Sequence, residues 1–264
     1  MKIVKVPSSQ GGLGNSTGTE LAPELIIKKT KELFLSEDGC LPLFDEDQVD
    51  IIKDNIEETN KNIYNKAKET LSKNTKSLFI GGDHSISYPI IRAFSEVYHG
   101  NPGVIIFDAH PDAENDFMPP TQEDLLCGIV NNKVIKKENI VLVGTRNWDK
   151  NEVEFIKNNK IKFFPMKEII SEGIEEISES VMSVAKNFSA LYISIDIDVL
   201  DPAFAPGTGY IEPGGLTTRE LLFFLHRLKK LRNIRAFDIV EINPKRDING
   251  MTVKVGAKIA VELY

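Results

Sequence analysis

The chain is poor in cysteine, with only Cys40 and Cys127 in 264 residues. That excludes a disulfide scaffold and suits a reducing compartment. Neither cysteine has a metal-ligand spacing, which argues against structural zinc. Basic charge is also short: 32 Lys and Arg stand against 39 Asp and Glu, a net charge of -7. A general nucleic-acid binder would carry a basic face, so none is expected, whereas a cationic small molecule is compatible. No apolar run approaches the roughly 20 residues of a membrane span. The opening MKIVKVPSSQGG lacks the pattern of a secretory signal. The expectation is a cytoplasmic protein with no membrane partner. Linkers, low-complexity tracts and internal repeats are absent as well, so residues 1–264 are expected to form a single domain.

Apolar residues make up 41% of the chain, enough for a real core. They fall in short runs that alternate with longer charged segments of helical pattern. Expected strands are KIVKV at the start, SLFIG ending at 81, GVIIFDAH at 103–110 and IVLVGT at 140–145. KFFPM at 162–166, LYISIDID at 191–198 and IRAFDIVEI at 234–242 follow. Expected helices are ELIIKKTKELF, VDIIKDNIEETNKNIYNKAKETL, NEVEFIKNN, EEISESVMSVAKNF, TTRELLFFLHRLKKL and MTVKVGAKIAVEL. Such alternation predicts a parallel sheet with helices on both faces. Open α/β sheets bind ligands beyond the carboxyl ends of their strands, which directs attention to the residues just past each apolar run.

Those ends are rich in ionisable groups. GGDHS carries Asp83, His84 and Ser85; GVIIFDAHPD runs into Asp108, His110 and Asp112. LYISIDIDVLDP ends in Asp196, Asp198 and Asp201, and IRAFDIVEINP in Glu241 and Asn243. IVLVGTRNWD ends less tellingly, in Arg146 and Asp149. In extended chain, residues two apart share a side. Asp108, His110 and Asp112 therefore group together if extension persists through Pro111, and Asp196 groups with Asp198. Four carboxylates packed closely could not all ionise without cations. Two divalent ions would balance them, and an oxygen-rich set with some imidazole suits manganese. Each piece alone has a structural reading: GGDHS as a turn and helix cap, Asp201–Pro202 as a turn starter, Glu241 as an edge carboxylate. His99, before a helix-ending Gly100, and His226, within a helix, are expected to play no part in the site.

Together, GGDHS, DAHPD, SIDIDVLDPAFAPGTG and EINPKRD, with the opening GGLGNSTGTELAPELI, resemble the ureohydrolase family of arginases and agmatinases. The resemblance implies a three-layer α/β/α fold around an eight-stranded, mainly parallel sheet, and two Mn2+ ions. It implies His84 and His110 as one imidazole ligand to each ion, Asp108 and Asp196 as bridges, and Asp112 and Asp198 as the completing ligands. Glu241 is expected to hold the substrate guanidinium. A metal-activated water is then expected to attack the guanidinium carbon, with Asp112 passing a proton to the leaving amine, so that urea and an amine are released. Family members also imply a homo-oligomer, trimeric or hexameric.

Two positions depart from the family pattern. Cys127, before Gly128, stands where a histidine is usual. It is open to two readings, a proton-shuttling thiol or a small buried side chain. Tyr210-Ile211 stand where Thr-Pro usually follows PGTG, beside the substrate. Glu114 occupies the position of an asparagine that binds the amino-acid end in arginase-like members. A carboxylate there repels an α-carboxylate and tilts the expectation toward agmatine or a related guanidino amine. Arginase activity, formimino-group hydrolysis and a metal-binding relative without turnover, motivated by Cys127 and Tyr210, remain alternatives.

Overall fold

The computed structural model describes residues 1–73 and 76–264. Eight strands form one sheet: β1 (Lys2–Val6), β2 (Asp45–Gln48), β3 (Ser77–Gly81), β4 (Gly103–Phe107), β5 (Ile140–Val143), β6 (Lys162–Phe164), β7 (Leu191–Asp196) and β8 (Ile234–Val240). Their order is β2-β1-β3-β8-β7-β4-β5-β6. Every strand pairing is parallel.

The central strands are apolar on both faces, and their period of two sorts them into two cores. Ile3, Leu78, Ile80, Ile105, Phe107, Ile193 and Phe237 face one way. They pack beneath α1 (Ala22–Thr30), α7 (Ile174–Ala185), α8 (Thr218–Leu228) and α9 (Met251–Leu263). Val4, Phe79, Val104, Ile106, Leu142 and Tyr192 face the other way. They meet α2 (Ile56–Ser72), α3 (Ser87–Val97), α4 (Leu125–Asn131) and α5 (Lys150–Asn159). A short α6 (Met166–Glu172) links β6 to α7. The result is the three-layer α/β/α arrangement expected from the sequence.

The differences are local and have physical causes. Strand β2 reads DEDQ, mostly exposed, and carries no apolar signal. It forms because its backbone pairs with β1 in register from Lys2↔Asp45 to Lys5↔Gln48. The expected helix from Val49 begins instead at Ile56, where the Asn55 side chain accepts from the Glu58 N–H as an N-cap. The strand expected over 162–166 stops at Phe164, because Pro165 opens α6.

The four neighbouring strands β3, β8, β7 and β4 matter most for function. Their carboxyl ends deliver His84, Glu241, the Asp196/Asp198 pair and the Asp108–Asp112 loop to one place.

Candidate metal centre and substrate pocket

Two overlapping groups of donors sit at this edge. His84, Asp108 and Asp196 form one, and Asp108, His110 and Asp198 the other, with ligand atoms in each group within 4.8 Å of one another. Asp108 is common to both. His84 Nδ1 lies 3.1 Å from Asp108 Oδ2, 2.8 Å from Asp112 Oδ2 and 3.4 Å from Asp196 Oδ2. His110 Nδ1 lies 3.0 Å from Asp198 Oδ2 and 3.6 Å from Asp108 Oδ1. All six expected ligands therefore converge.

They converge by a different route from the one the spacing predicts. Extension does not persist through Pro111: Asp112 has φ of 53°, a left-handed conformation that swings its carboxylate back toward His84. Asp198 lies in a 3-10 turn over Ile197–Val199, whose N-cap is Asp196 accepting from the Asp198 N–H at 2.8 Å. Backbone amides orient the other carboxylates. His110 N–H donates to Asp108 Oδ1 at 2.7 Å, and Ala109 N–H to Asp198 Oδ1 at 3.0 Å.

The cluster's electrostatics call for cations. Burial, reinforced by Asp108, pushes the Asp112 carboxyl up to about 8. Burial, with Asp198 and Asp108 beside it, holds Asp196 well above the usual carboxylate range. Burial opposes a charge on His84, but the carboxylates of Asp108 and Asp112 outweigh it and raise the imidazole well above its ordinary value. His110 is raised in the same way by Asp198 and Asp108 against the cost of burial. Protons thus stand in for positive charge that the chain itself does not supply. His84 Nδ1, Asp108 Oδ2 and Asp112 Oδ2 are buried without hydrogen-bond geometry to any partner. Each such atom costs about 1–3 kcal/mol unless something satisfies it. Divalent cations do so, and the donor set fits them. The two groups are a binuclear metal-binding site.

The far side of each imidazole is braced. His84 Nε2 is 2.9 Å from Ser194 Oγ, which donates to Asp238 Oδ1 at 2.7 Å. Asp238 also accepts from Ser87 and Tyr192 hydroxyls, each at 2.6 Å. His110 Nε2 faces Glu212 Oε1 at 3.4 Å. Such outer contacts fix ring orientation and tautomer. Sequence reasoning missed Ser194, Asp238 and Glu212. A fully buried carboxylate inside the apolar strand IRAFDIV was the available signal for Asp238.

A cavity of about 280 Å³ opens over the cluster. Glu241, 4% exposed and in a left-handed conformation at φ of 60°, forms part of its floor. Its Oε1 accepts from the His84 N–H at 2.7 Å, and its Oε2 from Ser16 Oγ at 3.2 Å. Ser16 is in turn hydrogen-bonded to Gln122. Burial, with Asp83 nearby, raises the Glu241 carboxyl well above its ordinary range. The wall includes Glu114, Glu123, Asp149, Glu152 and Glu212, and no lysine or arginine among the described lining residues. A hydrogen bond that protonated Glu114 donates to the Glu123 carboxylate, aided by burial, pushes Glu114 up to about 7. The Tyr210 hydroxyl donates to Glu123 Oε1 at 3.1 Å, and its ring lies edge-on to His110 at 6.1 Å.

Cys127 does not line the cavity. It is 4% exposed on α4, within the core on that face of the sheet. Burial, with Asp116 and Asp124 nearby, pushes its thiol up to about 12. The structure places the Cys127 side chain in the core rather than on the cavity wall. His226 is remote, 2.8 Å from Glu262. Asp201 accepts from the Ala203, Gly214 and Gly215 amides, as a turn residue does.

A parallel α/β sheet with a binuclear cluster and a carboxylate-floored pocket at its carboxyl edge defines a metal-dependent hydrolase of the amidinohydrolase type. The arginase family model matches residues 1–264, and the chain belongs to that family. An arginase of Staphylococcus aureus is 37% identical over 238 residues, covering 84% of this chain and 76% of that protein. Among solved structures, formimidoylglutamase from Bacillus subtilis superposes with a TM-score of 0.93 at 27% identity, covering 99% of this chain and 85% of that one. A hypothetical agmatinase from Burkholderia thailandensis superposes with a TM-score of 0.89 at 26% identity, covering 99% and 84%. Among the described residues no helix is long and apolar enough to cross a membrane.

Proposed function

We propose that this protein, acting as a single domain over residues 1–264, hydrolyses a linear guanidino compound to urea and an amine, with arginine the first substrate. One observation carries the proposal: two donor groups sharing Asp108 surround unpartnered buried atoms beneath a cavity that also holds the Glu241 carboxylate. The relatives at 37% identity that bear the name arginase support the choice of arginine. His84, Asp108 and Asp196 would hold one ion, and Asp108, His110 and Asp198 the other, with Asp112 beside His84. The oxygen-rich donor set favours Mn2+. When bound, such ions lower the pKa of water and so supply a nucleophile at neutral pH.

The chain's own residues do the rest. Glu241 pairs with the planar guanidinium and fixes its orientation, an interaction strengthened by the dry floor on which it lies. Asp112 Oδ2, buried and 2.8 Å from His84 Nδ1, is placed to hold a proton and return it to the departing amine nitrogen. Glu123, pinned by Tyr210, and Glu114 face the remainder of the substrate. A homo-oligomer of three or six chains in the cytoplasm completes the proposal.

The acidic wall favours a second reading. A substrate carboxylate would face Glu114, Glu123 and Glu152 with no lysine or arginine among the described lining residues to receive it, whereas an amine would be welcome. Agmatine is therefore the second substrate. The test is urea release by manganese-loaded protein from arginine, agmatine and shorter guanidino acids, with formamide release from formimino compounds measured beside it. Urea from arginine or agmatine supports the proposal and ranks the two readings. Formamide alone points to a formimino hydrolase. Two bound ions with neither product would mean a metal-binding protein without turnover.

A further inference from the structure

Behind the group formed by Asp108, His110 and Asp198 lies Arg146, a half-buried side chain used by no step above. Its guanidinium forms no ion pair among the described residues and spends its donors on main-chain carbonyls. Nη2 donates to Asp198 O at 2.7 Å, Glu212 O at 2.6 Å and Leu200 O at 3.3 Å. Nη1 donates to Val199 O at 3.3 Å, and Nε to Glu212 O at 3.2 Å. The backbone of the same segment reaches the third element of the site: the Arg146 and Asn147 N–H groups donate to Ala109 O at 2.8 and 3.1 Å.

One residue thus ties together the turn carrying Asp198, the loop carrying His110, and the loop carrying Glu212. Glu212 Oε1 in turn meets His110 Nε2 at 3.4 Å and accepts from Asn147 Nδ2 at 2.8 Å. The close approach has left a mark on the sequence. A Cβ at Gly215 would come within 2.7 Å of Arg146 Nη2 and within 2.6 Å of the Asp201 N. The other group has a separate support, the Ser194–Asp238 relay behind His84, and Arg146 makes no contact with it.

We infer that Arg146 is a positioning residue chiefly for one metal position, the one formed by Asp108, His110 and Asp198, and that, apart from the shared Asp108, each position has its own support behind its imidazole. A planar five-donor fork on a fixed stem is required, because carbonyls of two segments, the Asp198–Leu200 turn and the Glu212 loop, must be met at once. Lysine supplies the charge but cannot reach both. The inference rests on the reading that each donor group holds a divalent ion.

The test counts ions rather than turnover. Wild type, Arg146→Gln and Arg146→Lys are stripped, dialysed against graded Mn2+ and assayed for bound metal, with circular dichroism confirming the fold. Two ions are expected in wild type. In both variants one ion should weaken about 10- to 100-fold, the usual cost of losing an outer-shell support, while the other keeps its affinity. His84→Ala and His110→Ala assign the position. Added to His84→Ala, Arg146→Gln should weaken the ion that remains; added to His110→Ala, it should change nothing further. Unchanged affinities, equal weakening of both ions, or failure of both variants to fold would overturn the inference. Because no substrate is present, absence of urea release would leave this result standing. A wild type that binds fewer than two ions would instead refute the proposed function.

Discussion

Stripping the metal tests whether the buried carboxylates are built around cations. An ion that binds only the folded chain adds about 2.7 kcal/mol when free metal is at a hundred times its dissociation constant. Two such ions add about 5.4 kcal/mol. An unfolding entropy of about 2.1 cal/mol/K per residue, over 264 residues, is about 0.55 kcal/mol/K. Chelation should therefore lower Tm by about 10 °C. The sign of the pH dependence follows from Asp112. Without ions its carboxyl lies near 8 in the fold, against about 3.9 unfolded. The folded chain then binds more protons between those values, so this contribution to stability is present at low pH and is lost as pH rises from about 4 to about 8. His84, raised well above its usual range, acts in the same sense. Bound ions replace those protons, so the gap between loaded and stripped protein should widen from about pH 4 to about pH 8. Calorimetry on both forms reads it. A Tm shift below about 2 °C, or a gap independent of pH, would refute the reasoning.

Glu241→Gln should lower kcat/KM about 10- to 150-fold, the equivalent of about 1.5–3 kcal/mol for one charged hydrogen-bond partner, with both ions retained. Unchanged steady-state kinetics would place the guanidinium elsewhere. At about pH 8, iodoacetamide should alkylate exposed Cys40 and spare Cys127, whose thiol burial holds near 12, until the chain unfolds. Mass spectrometry showing Cys127 alkylated in the folded protein would contradict its placement in the core.

The fold was legible wherever strands were buried on both faces. VIIF and LYISI can be little else, and their flanking charged helices supply the layers. Strand β2 was not legible, because DEDQ pairs through its backbone and buries almost nothing. The six residues that converge at the site were legible as types at strand ends, but not their route. Two-residue spacing stands for extension, whereas Asp112 arrives by a left-handed residue and Asp198 by a 3-10 turn. The supports behind them were hidden for a different reason. Arg146 binds carbonyls, which every residue has, and Ser194 and Asp238 lie inside strands whose neighbours are apolar. Cys127 illustrates the converse: its position suggested chemistry, whereas the structure places its side chain in the core and off the cavity wall.

The most direct measurement is a titration of stripped protein with Mn2+ in the presence of arginine or agmatine, following urea release and bound metal together. Two donor groups sharing Asp108 predict that activity climbs to a break at two ions per chain, and that Asp108→Asn removes the break. Full activity at one ion, or two bound ions with no urea from either substrate, would contradict it.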